Sequence, residues 1–238
     1  MKTAQIKVEL VDRMGTDLTV VNAARVSFDK ESVWEWTVAE HRGDIQQAFL
    51  SEADTKLIAY LAKHNHWSPF AHTSIQLRIK APIFVARQLV KHQVGGVWNE
   101  VSRRYVDSEP EFFFPEVWRG RPTNGMKQGS SGMVGSMSYD PRQTPNDEAR
   151  VLCEDALRAY NELLTSGVAP EQARMILPQN MMTEWYWTGS LMFFARVCKE
   201  RLAPGAQAET AEVARLISAI VSPLFPVSWA ALNPKEVV

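Results

Sequence analysis

A regular alternation that ends at a proline constrains the fold of this chain more than any other feature. In HTSIQLRIKA (72–81) apolar and polar residues alternate, which is typical of a strand with one buried face. Pro82 follows and suits the first turn of a helix, which we predict over 82–93, before Gly95-Gly96. The strand residues that we expect to face the core are Ile75, Leu77 and Ile79.

The other periodic segments are mostly helical. IKVELVD (6–12) alternates like a second strand. Apolar spacings of three and four, together with capping residues, predict helices over 16–28, 51–64, 146–167, 171–177, 193–202 and 208–221. Strands and helices do not alternate in regular βαβ units. We therefore predict an α+β fold, a single domain over 1–238 in which helices flank a mixed or antiparallel sheet.

One long segment has no clear periodicity. Residues 110–145 are rich in Gly, Pro, Ser and Met. A stretch of this length inside a compact domain is usually a functional lid or a mobile insertion, and both interpretations remain open. We predict a flexible insertion here.

Charge and cysteine content exclude several classes of protein. Lys plus Arg (26) nearly balances Asp plus Glu (27), which disfavours a protein that coats nucleic acid. No apolar run is long enough to cross a membrane, and the N-terminus lacks the apolar core of a signal peptide. The two cysteines have no metal-type or CxxC spacing, so we expect no disulfide and a reducing, cytosolic compartment.

Cations and hydrogen-bonding side chains concentrate between residues 87 and 104. Arg87, Gln88, Lys91 and His92 would share one face of the helix over 82–93, with like charges four residues apart. NEVSRRY (99–105) then supplies Glu100, Ser102, Arg103 and Arg104. Guanidinium forks and hydroxyls suit a nucleotide phosphate, although a solvated cationic surface has the same composition.

Further candidates lie outside this stretch. KHNHWSPFAH (63–72) contains three histidines without a nearby Cys, Asp or Glu, so we predict no metal site there. Those histidines either stack and hydrogen-bond in a site or are structural. The arginines of later helices either contact a ligand or extend along apolar surface, and they are Arg174, Arg196 and Arg201.

Taken together, these segments resemble the flavin-dependent thymidylate synthases, and especially their phage-type members. The signature of that family is RHR, a spacer and a serine in a motif like NExSxRY. In this chain it reads KHQ (91–93) and NEVSRRY (99–105). The resemblance also covers NAARVSF (22–28), KHNHWSPFAH (63–72), KAPIFVARQ (80–88), GVAPEQARMILP (167–178) and RLAPGAQAE (201–209).

The resemblance implies a homotetramer, active in the cytoplasm of a bacterium or a phage-infected host, with active sites between subunits. Its reaction is reductive methylation of dUMP to dTMP, with FAD as cofactor and with NADPH and methylenetetrahydrofolate as cosubstrates, without a cysteine nucleophile. Arg201 matches the arginine that favours ionisation of uracil N3. The implied dUMP ligands are Arg87, Gln88, Lys91, Glu100, Ser102, Arg103, Arg104, Arg174 and Arg201. The residues implied for FAD and folate are His66, Ser68, Lys91, His92, Gln93, Glu100 and Arg196.

The chain departs from the family pattern at several of these positions. KHQ lacks two guanidiniums of RHR, the spacer VGGVWNEV is one residue longer, and Arg103 stands where the family prefers glycine. Arg196 stands where the family has Asn or His, and Gly205 replaces the histidine of HAQ. An alternative function is therefore a nucleotide-binding member that keeps dUMP but has lost the flavin chemistry.

Overall fold

The computed structural model describes residues 1–37, 47–106, 108–122 and 129–233. The strands are β1 (Lys2–Thr3), β2 (Lys7–Met14), β3 (Glu35–Trp36), β4 (Ala48–Phe49), β5 (Ser74–Pro82), β6 (Gly96–Glu100), β7 (Glu111–Phe112), β8 (Arg119–Gly120), β9 (Ser131–Met133) and β10 (Met182–Gly189). The α-helices are α1 (Asp17–Arg25), α2 (Glu52–Lys63), α3 (Ser68–Ala71), α4 (Ile83–Leu89), α5 (Pro145–Thr165), α6 (Pro170–Ala173), α7 (Leu191–Arg201), α8 (Ala208–Val221) and α9 (Pro226–Leu232).

A four-stranded antiparallel sheet in the order β2-β5-β10-β6 forms the centre of the fold. Strands β5 and β10 pair along their whole shared length, from Met182 opposite Pro82 to Gly189 opposite Ile75. As predicted from the alternation, Ile75, Leu77 and Ile79 are fully buried. The α+β class, with an antiparallel sheet and packed helices, is therefore confirmed.

Helices cover the inner face of this sheet. Trp185 and Trp187 of β10 point into the same core as the apolar residues of β5, and both are 1% exposed. Trp98 of the edge strand β6 stacks on Trp185, with ring centroids 4.3 Å apart. Helices α7 and α8 supply much of the opposing surface, because Phe194, Val197, Val213 and Ile217 are buried in this cluster.

Most helices predicted from periodicity are present with similar bounds. Ser51 caps α2, since its Oγ accepts from the backbone N–H of Asp54 at 3.1 Å. Helix α5 ends at Thr165, and Gly167 follows with a φ of 84°, as expected of a helix-terminating glycine. The segment predicted as a helix over 171–177 forms only α6 and a 3-10 turn over Arg174–Ile176.

The helix predicted over 82–93 is shorter than expected. It ends at Leu89, and Val90 is its C-cap. Lys91 and His92 therefore lie beyond the last helical turn, and the expected stacking of Arg87 and Lys91 on one helical face is wrong. Leaving the helix allows residues 91–94 to run along α7 instead.

A glycine pair shapes the start of β6. Gly96 lies opposite Gly189 of β10, and the ring of Phe193 covers both. A methyl group on Gly189 would approach Phe193 Cδ1 to 2.3 Å, and one on Gly96 would approach Phe193 Cζ to 2.4 Å. Gly95 and Gly96 were predicted only to break a helix, but Gly96 also begins a strand.

Residues 110–145 lie partly in regular structure. Phe112 and Phe114 are buried against Cys153 and Leu157 of α5, in a second apolar cluster. Strand β7 pairs with β1, and β8 pairs with β9. Residues 123–128 of this segment lie outside the described residues, and its flexibility stays a prediction.

No helix within the described ranges is long and apolar enough to cross a membrane.

Candidate active site

The stretch Lys91–Gln93 meets helix α7 in a small polar pocket. Arg201 Nε donates a hydrogen bond to His92 Nε2 at 2.9 Å, which joins two segments 109 residues apart in the chain. The pocket has a volume of about 240 Å³. It brings together five of the predicted site residues, which are Lys91, His92, Gln93, Arg196 and Arg201.

His92 is held in its neutral form. Its side chain is only 9% exposed. Burial lowers the pKa of His92 below its ordinary value, and the positive charge of Arg201 lowers it further. Glu200 acts in the opposite direction, and Arg196 adds a smaller lowering. Because Nε2 accepts from Arg201, the ring proton must be on Nδ1. The 3.9 Å approach of Glu200 to the same nitrogen is therefore not an ion pair.

A larger cavity of about 990 Å³ opens beside this pocket. Gln88 and Arg201 both line it, and Glu200 and Arg201 are shared with the small pocket. Gln88 is held at both ends of its amide, because its Nε2 donates to Gln207 Oε1 and its Oε1 accepts from Thr210 Oγ1 at 3.1 Å. The cavity thus presents a fixed amide and a guanidinium together.

A third cavity, of about 1160 Å³, lies on the other side of the small pocket. The two share Val94, Phe193 and Arg196. Its lining includes the cations Lys63, Arg196 and Lys199 and the indole of Trp67. Trp67 is 62% exposed. Sequence reasoning missed Lys63, Trp67 and Lys199, although an exposed tryptophan in KHNHWSPFAH was a usable signal.

Other predicted site residues lie apart from these cavities in the single chain. Glu100 accepts hydrogen bonds from Thr183 Oγ1 at 2.7 Å and from Trp98 Nε1 at 3.1 Å. Arg104 Nε donates to Ser102 Oγ at 3.1 Å, and Arg103 donates to the backbone oxygen of Ser108. Those outside the lining of all three cavities are His66, Ser68, Arg87, Glu100, Ser102, Arg103, Arg104 and Arg174.

Most of these outlying residues are exposed. Arg174 forms a hydrogen bond within its own turn, where its Nε donates to the backbone oxygen of Glu171 at 3.4 Å. His66 lies near Tyr60, with ring centroids 5.9 Å apart. Arg87, Glu100, Arg104 and Ser68 are likewise exposed, so a single described chain assembles only part of the predicted ligand set.

Both thiols are buried. Cys153 lies with Leu157 and Tyr160 in the second cluster, and Cys198 lies with Phe194 in the main core. Burial raises the pKa of Cys198 to about 12. Burial also raises the pKa of Cys153, against a hydrogen bond with Asn180. Neither cysteine has the exposure and depressed pKa that a nucleophilic thiolate needs.

Within the ranges that the structure describes, no group of three or more His, Cys, Asp or Glu side chains could hold a metal ion.

The family model "Thymidylate synthase complementing protein" (Thy1) matches residues 9–227. The chain belongs to the Thy1 family. A flavin-dependent thymidylate synthase of Thermus thermophilus is 40% identical over 230 residues, which cover 95% of this chain and 75% of that relative. One of Kosmotoga olearia is 35% identical over 227 residues, covering 94% of this chain and 88% of the relative. The resemblance seen in the motifs is confirmed, while membership of a phage-type branch stays a prediction.

Solved structures of one enzyme are similar over almost the whole fold. The UMP/dUMP methylase PolB from Streptomyces cacaoi, bound with 5-Br dUMP, superposes with a TM-score of 0.79 at 30% identity. The match covers 98% of this chain and 97% of PolB. A second structure of PolB, bound with 5-Br UMP, gives a TM-score of 0.77 at 29% identity.

The neutral state of His92 predicts a dependence of stability on pH. The folded-state pKa lies below the ordinary 6.5, so the unfolded chain binds a proton first as the pH falls. The free energy of unfolding should therefore decrease as the pH falls from about 7.5 to about 5.5. His92→Gln keeps an acceptor for Arg201 but does not titrate, and it should reduce this decrease. Urea denaturation at both pH values measures the effect, with the exposed His64→Gln as control. Equal pH dependence in the wild type and His92→Gln would contradict it.

Proposed function

We propose that this protein is a flavin-dependent thymidylate synthase, which methylates dUMP to dTMP with methylenetetrahydrofolate as carbon donor and FAD and NADPH as the reducing system. Membership of the Thy1 family and the named relatives support this reaction class. The observation that carries the proposal is the hydrogen bond between His92 and Arg201, in a pocket that shares lining residues with both large cavities. A nucleotide in one cavity and a flavin in the other would meet there.

Arg201 is the residue that we assign to the chemistry at the pyrimidine. Its Nε is engaged by His92, and its Nη groups donate no other hydrogen bond within the described residues. They are therefore available to a uracil ring in the cavity that Arg201 lines. A fixed guanidinium stabilises the negative charge that develops as N3 ionises, which makes C5 more nucleophilic. Neutral His92 orients the guanidinium without competing for its charge.

The cavity of about 1160 Å³ fits a dinucleotide cofactor. Its three cations can neutralise a pyrophosphate, and Trp67 offers an aromatic surface for a ring. Lys91, His92, Gln93 and Arg196 would hold FAD from the small pocket, and His66 and Ser68 flank Trp67 in the chain. When bound, FAD would pass hydride from NADPH to the methylene group transferred from the folate, which becomes the methyl group of dTMP.

The outlying ligands support active sites that form between subunits. We propose a homotetramer in which another subunit contributes Glu100, Ser102, Arg103, Arg104 and Arg174 to the nucleotide, beside Arg87, Gln88 and Lys91. Glu100, Arg104 and Arg174 are exposed in one chain, and all five lie outside the lining of the three cavities, which supports this arrangement. The two buried, reduced thiols support a cytosolic protein.

A ribonucleotide is a second candidate substrate. PolB is described as a UMP/dUMP methylase and was solved with 5-Br UMP as well as 5-Br dUMP. Methylation of UMP by this chain is therefore worth testing beside methylation of dUMP.

Tritium release from 5-labelled nucleotide tests the reaction directly. We expect release from dUMP only when FAD, NADPH and methylenetetrahydrofolate are all present, and UMP is assayed in parallel.

Cys153→Ala with Cys198→Ala should still form dTMP, after a modest stability cost for the cavities left in the core. A folded double variant that binds FAD and dUMP but forms no dTMP would overturn the mechanism. A colourless protein that binds dUMP and ignores added FAD would favour the nucleotide-binding alternative.

Arg201→Ala should impair chemistry more than folding. Loss of one donor that stabilises developing charge typically costs about 100- to 1000-fold in kcat. Arg201→Lys retains the charge but loses the fork, so it should also be impaired. Steady-state kinetics with dUMP measure both variants, and Arg215→Ala on the exposed side of α8 is the control. Near-normal turnover by folded Arg201→Ala would remove this residue from the mechanism.

Shared active sites predict complementation between inactive variants. Arg201→Ala and Arg104→Ala remove residues that the tetramer would bring together from different chains. After the two inactive proteins are mixed and allowed to exchange subunits, about a quarter of the sites or fewer should be intact, so activity should reappear. Activity that never exceeds that of either variant alone, despite proven exchange, would place both residues of a site on one chain.

A further inference from the structure

The pair of short strands β8 and β9 packs against the turn between α7 and α8. Arg119 of β8 donates from Nη2 to Glu209 Oε1 at 2.6 Å, and its Nε donates to Ser130 Oγ at 3.0 Å. Gly129 lies beside Gly205 of the turn, since a methyl on Gly129 would be in ordinary van der Waals contact with Gly205 Cα, at 3.8 Å. Part of the 110–145 segment therefore forms part of the wall of the 990 Å³ cavity that Gln88 and Arg201 also line.

Glu209 is a buried carboxylate in that wall. It lies in the first turn of α8, and its side chain is 8% exposed. Burial acts to raise the pKa of Glu209, but hydrogen bonds from Arg119, the Glu209 backbone and Gln207, with the charge of Arg119, lower it below its ordinary value. Glu209 therefore remains ionised and can only accept hydrogen bonds.

Because an ionised Glu209 can only accept, it determines which way the side-chain amides of Gln207 and Gln88 are oriented. Gln207 Nε2 donates to Glu209 Oε2 at 3.0 Å, which leaves Gln207 Oε1 to accept from Gln88 Nε2. Thr210 Oγ1 donates to Gln88 Oε1 at 3.1 Å, which is consistent with the same orientation of the Gln88 amide. Gln88 therefore presents its second N–H and its remaining lone pair in one defined arrangement.

We propose that Arg119 and Glu209 are positioning residues that fix the amide of Gln88 for the pyrimidine nucleotide. The proposal rests on the proposed function, because it takes the cavity lined by Gln88 and Arg201 as the nucleotide site. It also gives the β8–β9 part of the 110–145 segment a role: its arginine keeps a buried carboxylate charged, and that charge orders the hydrogen bonds of the cavity wall. Arg119 and Glu209 line the same cavity as Gln88, and in this scheme they act on the ligand through the Gln88 amide.

Removing Arg119 has a specific physical consequence. The buried carboxylate loses its charged partner, so it either takes up a proton or recruits water into the wall. A protonated Glu209 can donate to Gln207, which releases the Gln207 amide to turn over. Gln88 then loses its single orientation, and nucleotide affinity should fall through that loss.

A double-mutant cycle between Arg119 and Gln88 tests this. The dissociation constant of dUMP is measured by calorimetry on FAD-loaded protein for the wild type, Arg119→Ala, Gln88→Ala and the double variant. Arg119→Ala should weaken dUMP binding about 10-fold in the wild-type background and have almost no effect in the Gln88→Ala background. Arg119→Lys should recover part of the loss, and Glu209→Gln should reproduce it. The control is Arg142→Ala, which removes another arginine–carboxylate pair of the same segment.

The outcomes separate this proposal from the proposed function. If the wild-type protein binds no dUMP, both the proposed function and the positioning role are contradicted. Binding by the wild type with equal losses from Arg119→Ala in the two backgrounds leaves the function intact. It shows that Arg119 acts independently of Gln88, by direct ligand contact or through general stability, which overturns the positioning role. Unchanged binding in Arg119→Ala overturns it as well. FAD affinity, measured by flavin absorbance on the same variants, should not change.

Discussion

The antiparallel pairing of β5 with β10 is the constraint on which the rest of the structure depends. Residues 74–82 and 182–189 are far apart in sequence, yet their buried faces form the centre of the core. Helix α4 begins where β5 ends, and α7 begins just after β10. The register of this one pair therefore decides where the amide of Gln88 and the guanidinium of Arg201 lie, and both reach the same cavity.

The sequence patterns predicted those helices and strands whose formation depends on neighbouring residues in the chain. Strand β5 alternates cleanly, and α2, α5, α7 and α8 combine apolar spacing with capping residues, so their existence followed from sequence. Strands β6 and β10 were missed for physical reasons. In β10 Tyr186 lies on the outer face between two buried tryptophans, which obscures the alternation. In β6 the glycine at 96 is explained by Phe193, a contact across about a hundred residues that no local rule reveals.

The site was predictable to a similar extent. The motifs indicated Lys91, His92, Gln93, Arg196 and Arg201, and the structure brings them together. The bond from Arg201 to His92 was not predictable, since it depends on α4 ending early and on the tertiary path of α7. Arg119 gave no recognisable signal, and Gln207 and Glu209 were noticed only as part of RLAPGAQAE, because their roles arise when three separate segments meet. The ligand roles of Glu100, Ser102, Arg103, Arg104 and Arg174 stay predictions.

The glycine pair under Phe193 has a consequence for how sequences of this fold can diverge. Positions 96 and 189 face each other across the strands, and one aromatic ring fills the space above both. A side chain at either glycine is compatible only with a smaller residue at 193, and a smaller residue at 193 alone leaves a void against Trp187. The three positions are therefore epistatic. Because Phe193 also lines the pocket of Lys91, His92 and Gln93, substitutions in that motif are subject to the same coupling.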